Sequence, residues 1–205
     1  MTASSALAFD GSHIDGGLYR SITDAARHSP HALDRAVGLF SSYGLVIFAV
    51  LMLLVWWRAR HADPGTMAQA LFAPIVVTAV FGVDMLVKSA VREARPCRSL
   101  PGSFTIESCP GAGDWSFPSN HTVVAFAAAA AIWVVDRRLG AVAAVAAAAE
   151  GASRVFVGVH YPHDVVAAAV LGVALGAPLA RWSGRQAALV ERLRTGPLRP
   201  LVQAG

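Results

Sequence analysis

Apolar residues gather into five long runs along the 205-residue chain, at 37–57, 66–87, 122–135, 139–159 and 165–180. The second is broken only by Gln69 and Asp84, and the fourth by Glu150, Ser153 and Arg154. A membrane-spanning helix needs about 20 predominantly apolar residues, within a range of roughly 17 to 25. The first, second and fourth runs meet that length. The third and fifth need polar residues at their ends to reach it. Core helices of a soluble bundle would also be apolar, but five such runs in so short a chain argue against that reading. The pattern predicts an all-α fold: an integral membrane helical bundle of about five transmembrane helices.

Upstream of the first run the pattern changes. Ile14, Leu18, Ile22 and Ala25 recur at helical spacing, with Asp15, Arg20, Asp24 and Arg27 on other faces. This predicts a short amphipathic helix lying on the membrane surface. Ser29 and Pro30 are then expected as the N-cap and first-turn proline of the next helix. The opening stretch lacks the basic and long apolar regions of a secretory signal, so insertion is expected to use internal segments. With no repeat and no linker, residues 1–205 read as a single membrane-embedded domain, with an N-terminal surface segment at 1–36 and a cytoplasmic tail at 182–205.

Composition agrees. Charged residues make up 15% and hydrophobic residues 55%, against about 25% charge in a soluble domain. The net charge of +4 includes no Lys/Arg block, so no nucleic-acid partner is expected; membrane lipids are. Arg58, Arg60, Arg137, Arg138, Arg181, Arg185, Arg192, Arg194 and Arg199 fall on one side if the spans alternate, and the positive-inside rule makes that side cytoplasmic. The N-terminus, the loop 88–120 and the turn at 160–164 then face the exterior. Cys97 and Cys109 both lie in that loop, where an oxidising exterior would let them pair as a disulfide; two free thiols are the alternative.

Three polar clusters fall on the same side: Lys88 with Arg95-Pro96, Pro118-Ser119-Asn120-His121, and Ser153-Arg154 with His160 and Asp164. Ionisable groups at membrane depth are costly and mark function. Lys88, Arg95 and Arg154 suit a phosphate dianion, as forked and point-charge donors. Ser119 and the start of the third helix add a hydroxyl and backbone N–H groups. His160 could attack phosphorus as a neutral imidazole. Asp164, four residues on, could fix its tautomer, and His121 could protonate the leaving oxygen. Asp84 and Glu150 each lie four residues before a cation, Lys88 and Arg154, a spacing that predicts supporting ion pairs.

Lys-x6-Arg-Pro, Pro-Ser-x-His and Ser-Arg-x5-His-x3-Asp, in this order, resemble the three signature motifs of the type 2 phosphatidic acid phosphatase (PAP2) superfamily. The length, the surface helix and the wording "SFPSNHT" resemble its bacitracin-resistance type of undecaprenyl pyrophosphate phosphatase. The resemblance implies a lipid phosphatase of the bacterial plasma membrane, with its site on the extracytoplasmic face. It implies His160 as nucleophile, Asp164 as its orienting partner, and His121 as general acid and then base. It also implies Lys88, Arg95, Ser119, Asn120 and Arg154 around the phosphate, and no metal or other cofactor. Asn120 departs from the family's usual glycine, which narrows the approach of the phosphate. The implied reaction converts undecaprenyl pyrophosphate to the monophosphate, recycling a carrier lipid for cell-wall synthesis.

Other readings stay open. The motifs read phosphate rather than tail, so phosphatidylglycerophosphate, phosphatidate or a polyprenyl-phosphoryl sugar phosphate are alternative substrates. A non-catalytic lipid-binding or transport protein would not need the full set of His160, Asp164 and His121. A soluble vanadate-dependent haloperoxidase shares the motifs but not the apolar runs. His163 matches no motif position and reads as a polar helix-start residue. Arg92 and Arg98 read as loop charges or lipid-headgroup contacts. The alanine tracts at 127–131 and 141–149 suit close helix packing. The sequence leaves the oligomeric state open.

Overall fold

All five apolar runs fold as helix, and among the described residues there is no strand, only an isolated bridge between Phe9 and Glu93. The computed structural model describes residues 8–204. The first seven positions of the expected surface segment, and Gly205 of the tail, lie outside the described residues. In chain order the helices are α1 (Ser12–Arg27), α2 (His31–Tyr43), α3 (Leu45–Ala59), α4 (Pro64–Val91), α5 (Pro96–Ser99), α6 (Asn120–Val135), α7 (Arg137–Phe156), α8 (Pro162–Ser183), α9 (Ala187–Arg194) and α10 (Arg199–Val202).

The chain is a membrane protein built on these helices. Three stretches are long and apolar enough to cross a bilayer: α4, α7, and α8 continued to Arg194. The first run makes a fourth when α2 and α3, bent by 51° at Gly44, are taken together. Gly44 has a steric reason to lack a side chain, since a Cβ there would collide with the Glu150 carboxylate and the Phe40 carbonyl. Helix α6, at 16 residues, is shorter than a span and only about 24 Å long. It is enclosed by α3, α4, α7 and α8. Its tract Ala127 to Ala131 is buried throughout. Gly172 and Gly176 of α8 press onto its backbone, where added Cβ atoms would come within 2.9 Å of Val123 O and 3.1 Å of Ala127 Cα. In lipid such small-residue contacts replace the hydrophobic drive between helices. The alanines of α7 differ, with only Ala143 and Ala147 of its tract buried.

Acidic caps set the turns. Asp63 Oδ1 accepts from Gly65 N (2.9 Å) and Thr66 N (3.0 Å) to start α4, with Pro64 in its first turn. Asp136 Oδ1 accepts from Arg138 N (2.9 Å) and Leu139 N (3.1 Å), so α6 passes into α7 through a single residue. Capping of this kind satisfies N–H groups that the first helical turn leaves free. At the same end of the bundle, Arg58 pairs with Asp136 (2.8 Å), and the tail is tied down by Trp56 Nε1 to Leu201 O (3.0 Å) and Arg194 Nη2 to Ala62 O (2.8 Å).

One local expectation is corrected. Helix α2 starts at His31 with Pro30 as its N-cap residue. Ser29 does not cap it, because its hydroxyl turns back to Ala26 O (2.8 Å) and to Asp34. Helix α1 forms as expected, burying Gly16, Tyr19, Thr23 and Ala26 against the bundle and leaving Ile14 and Leu18 exposed. The reason is a tyrosine: Tyr19 packs on the Tyr161 ring (5.6 Å between centroids) and donates to Gly158 O (2.9 Å), which draws its own face of the helix inward.

Candidate active site

Four helix ends and one loop meet on one side of the bundle, and they carry the three polar clusters. Lys88 lies in the last turn of α4, Ser119 stands at the N-cap position of α6 and His121 is in its first turn, Arg154 lies in the last turn of α7, and Asp164 in the first turn of α8. Arg95 follows α4, and His160 lies in the short turn between α7 and α8.

His160 is 2% exposed. Its Nε2 lies 3.1 Å from Arg95 Nη1, and its Nδ1 lies 3.2 Å from Asp164 Oδ2. Arginine can only donate, so Nε2 must be the acceptor and Nδ1 carries the hydrogen that faces Asp164. The ring is therefore neutral, with its lone pair on Nε2. Electrostatics agree: burial first, then the charges of Arg95, Lys88 and Arg154, push the imidazole well below its ordinary range. Asp164 Oδ2 also accepts from Ser116 Oγ (2.5 Å) and from Tyr161 N (2.8 Å). The second of these closes the capping box of α8, so the start of the helix fixes the carboxylate that faces His160.

The three cations are all engaged. Lys88 Nζ donates to the carbonyls of Trp115 (2.8 Å) and Ser116 (3.3 Å). Arg95 donates to Val159 O (2.9 Å) and Asp114 O (2.9 Å), and pairs with the Asp114 carboxylate (2.8 Å). Arg154 donates to Ser41 and pairs with Glu107 Oε1 (3.2 Å). The acceptors at 107, 114, 115 and 116 belong to one loop. The Arg95 and Arg154 side chains are 6% and 7% exposed, whereas Asp114 and Glu107 are 50% and 25% exposed. Buried cations need counter-charges, and here half-solvated acids that can turn back to water supply them. A phosphate would compete for the same donors. Glu107→Gln is therefore expected to tighten inhibition by inorganic phosphate, roughly two- to five-fold. Weaker inhibition would show instead that Glu107 holds Arg154 in place for the anion.

The remaining predicted residues are placed as follows. His121 is half-buried, and the charged groups around it are Arg154, Arg95, Lys88 and Asp114. Ser119 is buried, its hydroxyl accepting from Thr122 Oγ1 (3.1 Å). Asn120 turns its amide nitrogen to Met85 Sδ (3.6 Å) and lines a cavity of about 550 Å³ with Lys88, Arg92 and Trp115. Cys97 and Cys109 are joined in a disulfide, which staples α5 to the loop that carries Glu107.

The supporting pairs are corrected. Neither Asp84 with Lys88 nor Glu150 with Arg154 forms an ion pair among the described residues, and all four carboxylate oxygens are buried without a hydrogen-bond partner. Both cations stand at the last turn of their helices, where loop acceptors lie beyond the helix end. Their long side chains extend that way, and the acids remain one turn deeper.

Sequence reasoning missed Ser116, Asp114, Glu107, Ser41 and Glu93. None is a defining position of the three motifs: Glu93 lies in the spacer between Lys88 and Arg95, Ser116 just before Pro118-Ser119, and Asp114, Glu107 and Ser41 meet the cations from elsewhere in the chain. It also read His163 as a plain helix-start residue, whereas that ring contacts Asp15 and Glu93.

Residues 66–188 match the family model of the PAP2 superfamily. Among curated proteins, undecaprenyl-diphosphatase BcrC of Bacillus subtilis (strain 168) is 28% identical over 166 residues, covering 81% of this chain and 82% of that protein. The bacitracin transport permease protein BcrC of Bacillus licheniformis is 29% identical over 188 residues, covering 91% and 88%. Among solved structures, a transmembrane PAP2 type phosphatidylglycerolphosphate phosphatase from Bacillus subtilis superposes with a TM-score of 0.63 at 18% identity, covering 89% of this chain and 90% of that one. LpxE of Aquifex aeolicus superposes with a TM-score of 0.56 at 24% identity, covering 80% and 92%. At these identities the two structures bear on the fold alone.

Proposed function

Because the chain belongs to the PAP2 superfamily, we propose that it is a membrane lipid phosphatase that cleaves a polyprenyl pyrophosphate, undecaprenyl pyrophosphate above all, through a phosphohistidine. One observation carries this reading: the buried, neutral His160 presents Nε2 among three cations while Nδ1 faces Asp164. Arg95 and Arg154 exchange their loop acids for oxygens of the distal phosphate, and Lys88 adds its charge. Ser119 and Asn120 approach from the start of α6. Nε2 forms a bond to the distal phosphorus as the bond to the bridging oxygen breaks, and His121 gives that oxygen its proton. His121 then takes a proton from water, the water oxygen attacks the phosphohistidine, and inorganic phosphate and free His160 result. Asp164 stabilises the imidazolium formed in between.

The chain's own cations do the electrostatic work that a metal would otherwise supply. Likeness to an undecaprenyl-diphosphatase favours the pyrophosphate substrate. An apolar groove of about 570 Å³, lined by Ile22, Val37, Phe40, Ser153 and Phe156, offers room for an isoprenoid tail. The arginine-rich helix ends face the cytoplasm of a bacterial plasma membrane, and the site faces the exterior.

The test is phosphate release by the detergent-purified chain from undecaprenyl pyrophosphate, phosphatidylglycerophosphate, phosphatidate and a polyprenyl-phosphoryl sugar phosphate, each with and without EDTA. The expected result is preference for the pyrophosphate and no effect of EDTA. Turnover of a glycerolipid alone would remove the polyprenyl assignment, and turnover that stops with EDTA would remove the metal-free mechanism.

A further inference from the structure

We propose that His163 is a positioning residue for Asp164, and that through Asp15 it makes helix α1 part of the catalytic unit. The inference rests on the phosphatase reading above. His163 immediately precedes Asp164 at the start of α8. Its backbone N–H donates to Asp15 Oδ2 (2.7 Å), its Nδ1 lies 2.7 Å from Asp15 Oδ1, and its Nε2 lies 2.9 Å from Glu93 Oε1. That same Nε2 is 3.6 Å from Asp164 Oδ1. The ring is stacked on Tyr161 (5.2 Å between centroids, 17° between planes) and against Phe117 (6.1 Å). Ionised carboxylates only accept, so the arrangement is satisfied when both ring nitrogens carry hydrogen and the imidazolium lies among three acids.

Asp164 needs this neighbour. Its side chain is fully buried, and its Oδ2 already takes Ser116, Tyr161 and His160. Among the described residues its Oδ1 has no hydrogen-bond partner, and Glu93 beside it is 1% exposed. Two buried carboxylates without a cation between them cannot both stay ionised at low cost. His163 supplies that charge 3.6 Å from Oδ1, and its attraction for Oδ1 favours the carboxylate pose that directs Oδ2 at His160.

Helix α1 is built to hold His163. The helix breaks at Asp15 (φ −147°, ψ 25°), the residue that meets the ring. Gly11 lies so close to Glu93 that a Cβ would collide with its carboxylate. Phe9 exchanges backbone hydrogen bonds with Arg92 O (3.1 Å) and Ala94 N (2.9 Å). Tyr19 holds Gly158 O (2.9 Å). Helix α1 thus grips the turn that bears His160 on both flanks, at Gly158 and at His163.

The sign of a pH effect follows from the groups that face His163: Asp15 from α1, Glu93 from the segment after α4, and Asp164 from α8 itself. Removing the imidazolium withdraws positive charge from beside the Asp164 carboxylate. Asp164 works only when ionised, so the acid limb of kcat moves to higher pH. The experiment compares full-length His163→Gln and Asp15→Asn with wild type, using undecaprenyl pyrophosphate turnover, orthovanadate binding and thermal melting. His61→Gln, an exposed position at the far end of the bundle, is the control. In His163→Gln, kcat is expected to fall about ten-fold or more, as for other partners that orient a histidine, with KM within about two-fold. The acid limb should rise by on the order of one pH unit, and vanadate should bind more weakly. Asp15→Asn should move every readout the same way by less, and it decides the matter if His163→Gln does not fold. Wild-type kcat and acid limb in both variants would overturn the inference, and so would losses that merely follow the melting temperature. If wild type released phosphate from no lipid, the phosphatase reading would fall, and unchanged vanadate affinity in both variants would overturn the positioning role separately.

Discussion

Replacing His160 with alanine is expected to lower turnover on the order of 10⁴-fold or more while the chain still folds, because a nucleophile and its activating partners act as a unit. The two site serines are otherwise engaged: the Ser116 hydroxyl donates to Asp164 and the Ser119 hydroxyl accepts from Thr122. The neighbours survive the change. Arg95 keeps Val159 O and Asp114, and Asp164 keeps Ser116 and Tyr161 N. Circular dichroism and melting therefore separate lost chemistry from lost fold. The wild type carries a linked pH signature. An ordinary imidazole protonates near 6.5, but burial and the adjacent cations hold His160 well below that value. The nucleophile stays neutral as pH falls through 6.5, and kcat/KM should not decline there on its account. A ten-fold loss per pH unit below 6.5, traced to His160, would contradict the neutral, pre-set imidazole.

Asp164→Asn should be the second most damaging change, costing roughly 10³- to 10⁴-fold in kcat with a smaller effect on KM. Three donors converge on Oδ2, from Ser116, Tyr161 N and His160. An asparagine oxygen can occupy that point and keep the cap of α8, so the fold should persist. It brings no negative charge to balance the imidazolium that forms when phosphorus transfers. If the amide turns its nitrogen inward, it meets three donors and the wrong His160 tautomer follows. A variant with normal kcat would remove Asp164 from the mechanism.

What could be read from the chain divides by distance along it. The apolar runs gave the helices because length and period are local properties, and the helix-end placement of Lys88, Ser119, Arg154 and Asp164 followed from where those runs stop. His160 and Asp164, four residues apart, were legible for the same reason. Contacts closed across the chain were not. Glu107 meets Arg154, Asp114 meets Arg95, and Asp15 meets His163 from almost the opposite end of the sequence. The i to i+4 rule suggested Asp84 with Lys88 and Glu150 with Arg154, yet loop acceptors beyond the helix ends took both cations. The side that α1 turns to the bundle rests on another such distant contact, the hydrogen bond of Tyr19 to Gly158 O.

The central claim is that His160 carries the phosphoryl group. It is tested most directly by rapid quench of the purified chain with undecaprenyl pyrophosphate labelled on the distal phosphorus. The account predicts label on the protein within one turnover, stable to base and released by acid, mapping to His160 and absent from His160→Ala. Release of labelled phosphate with no label ever on the chain, or near-normal turnover by His160→Ala, would contradict it.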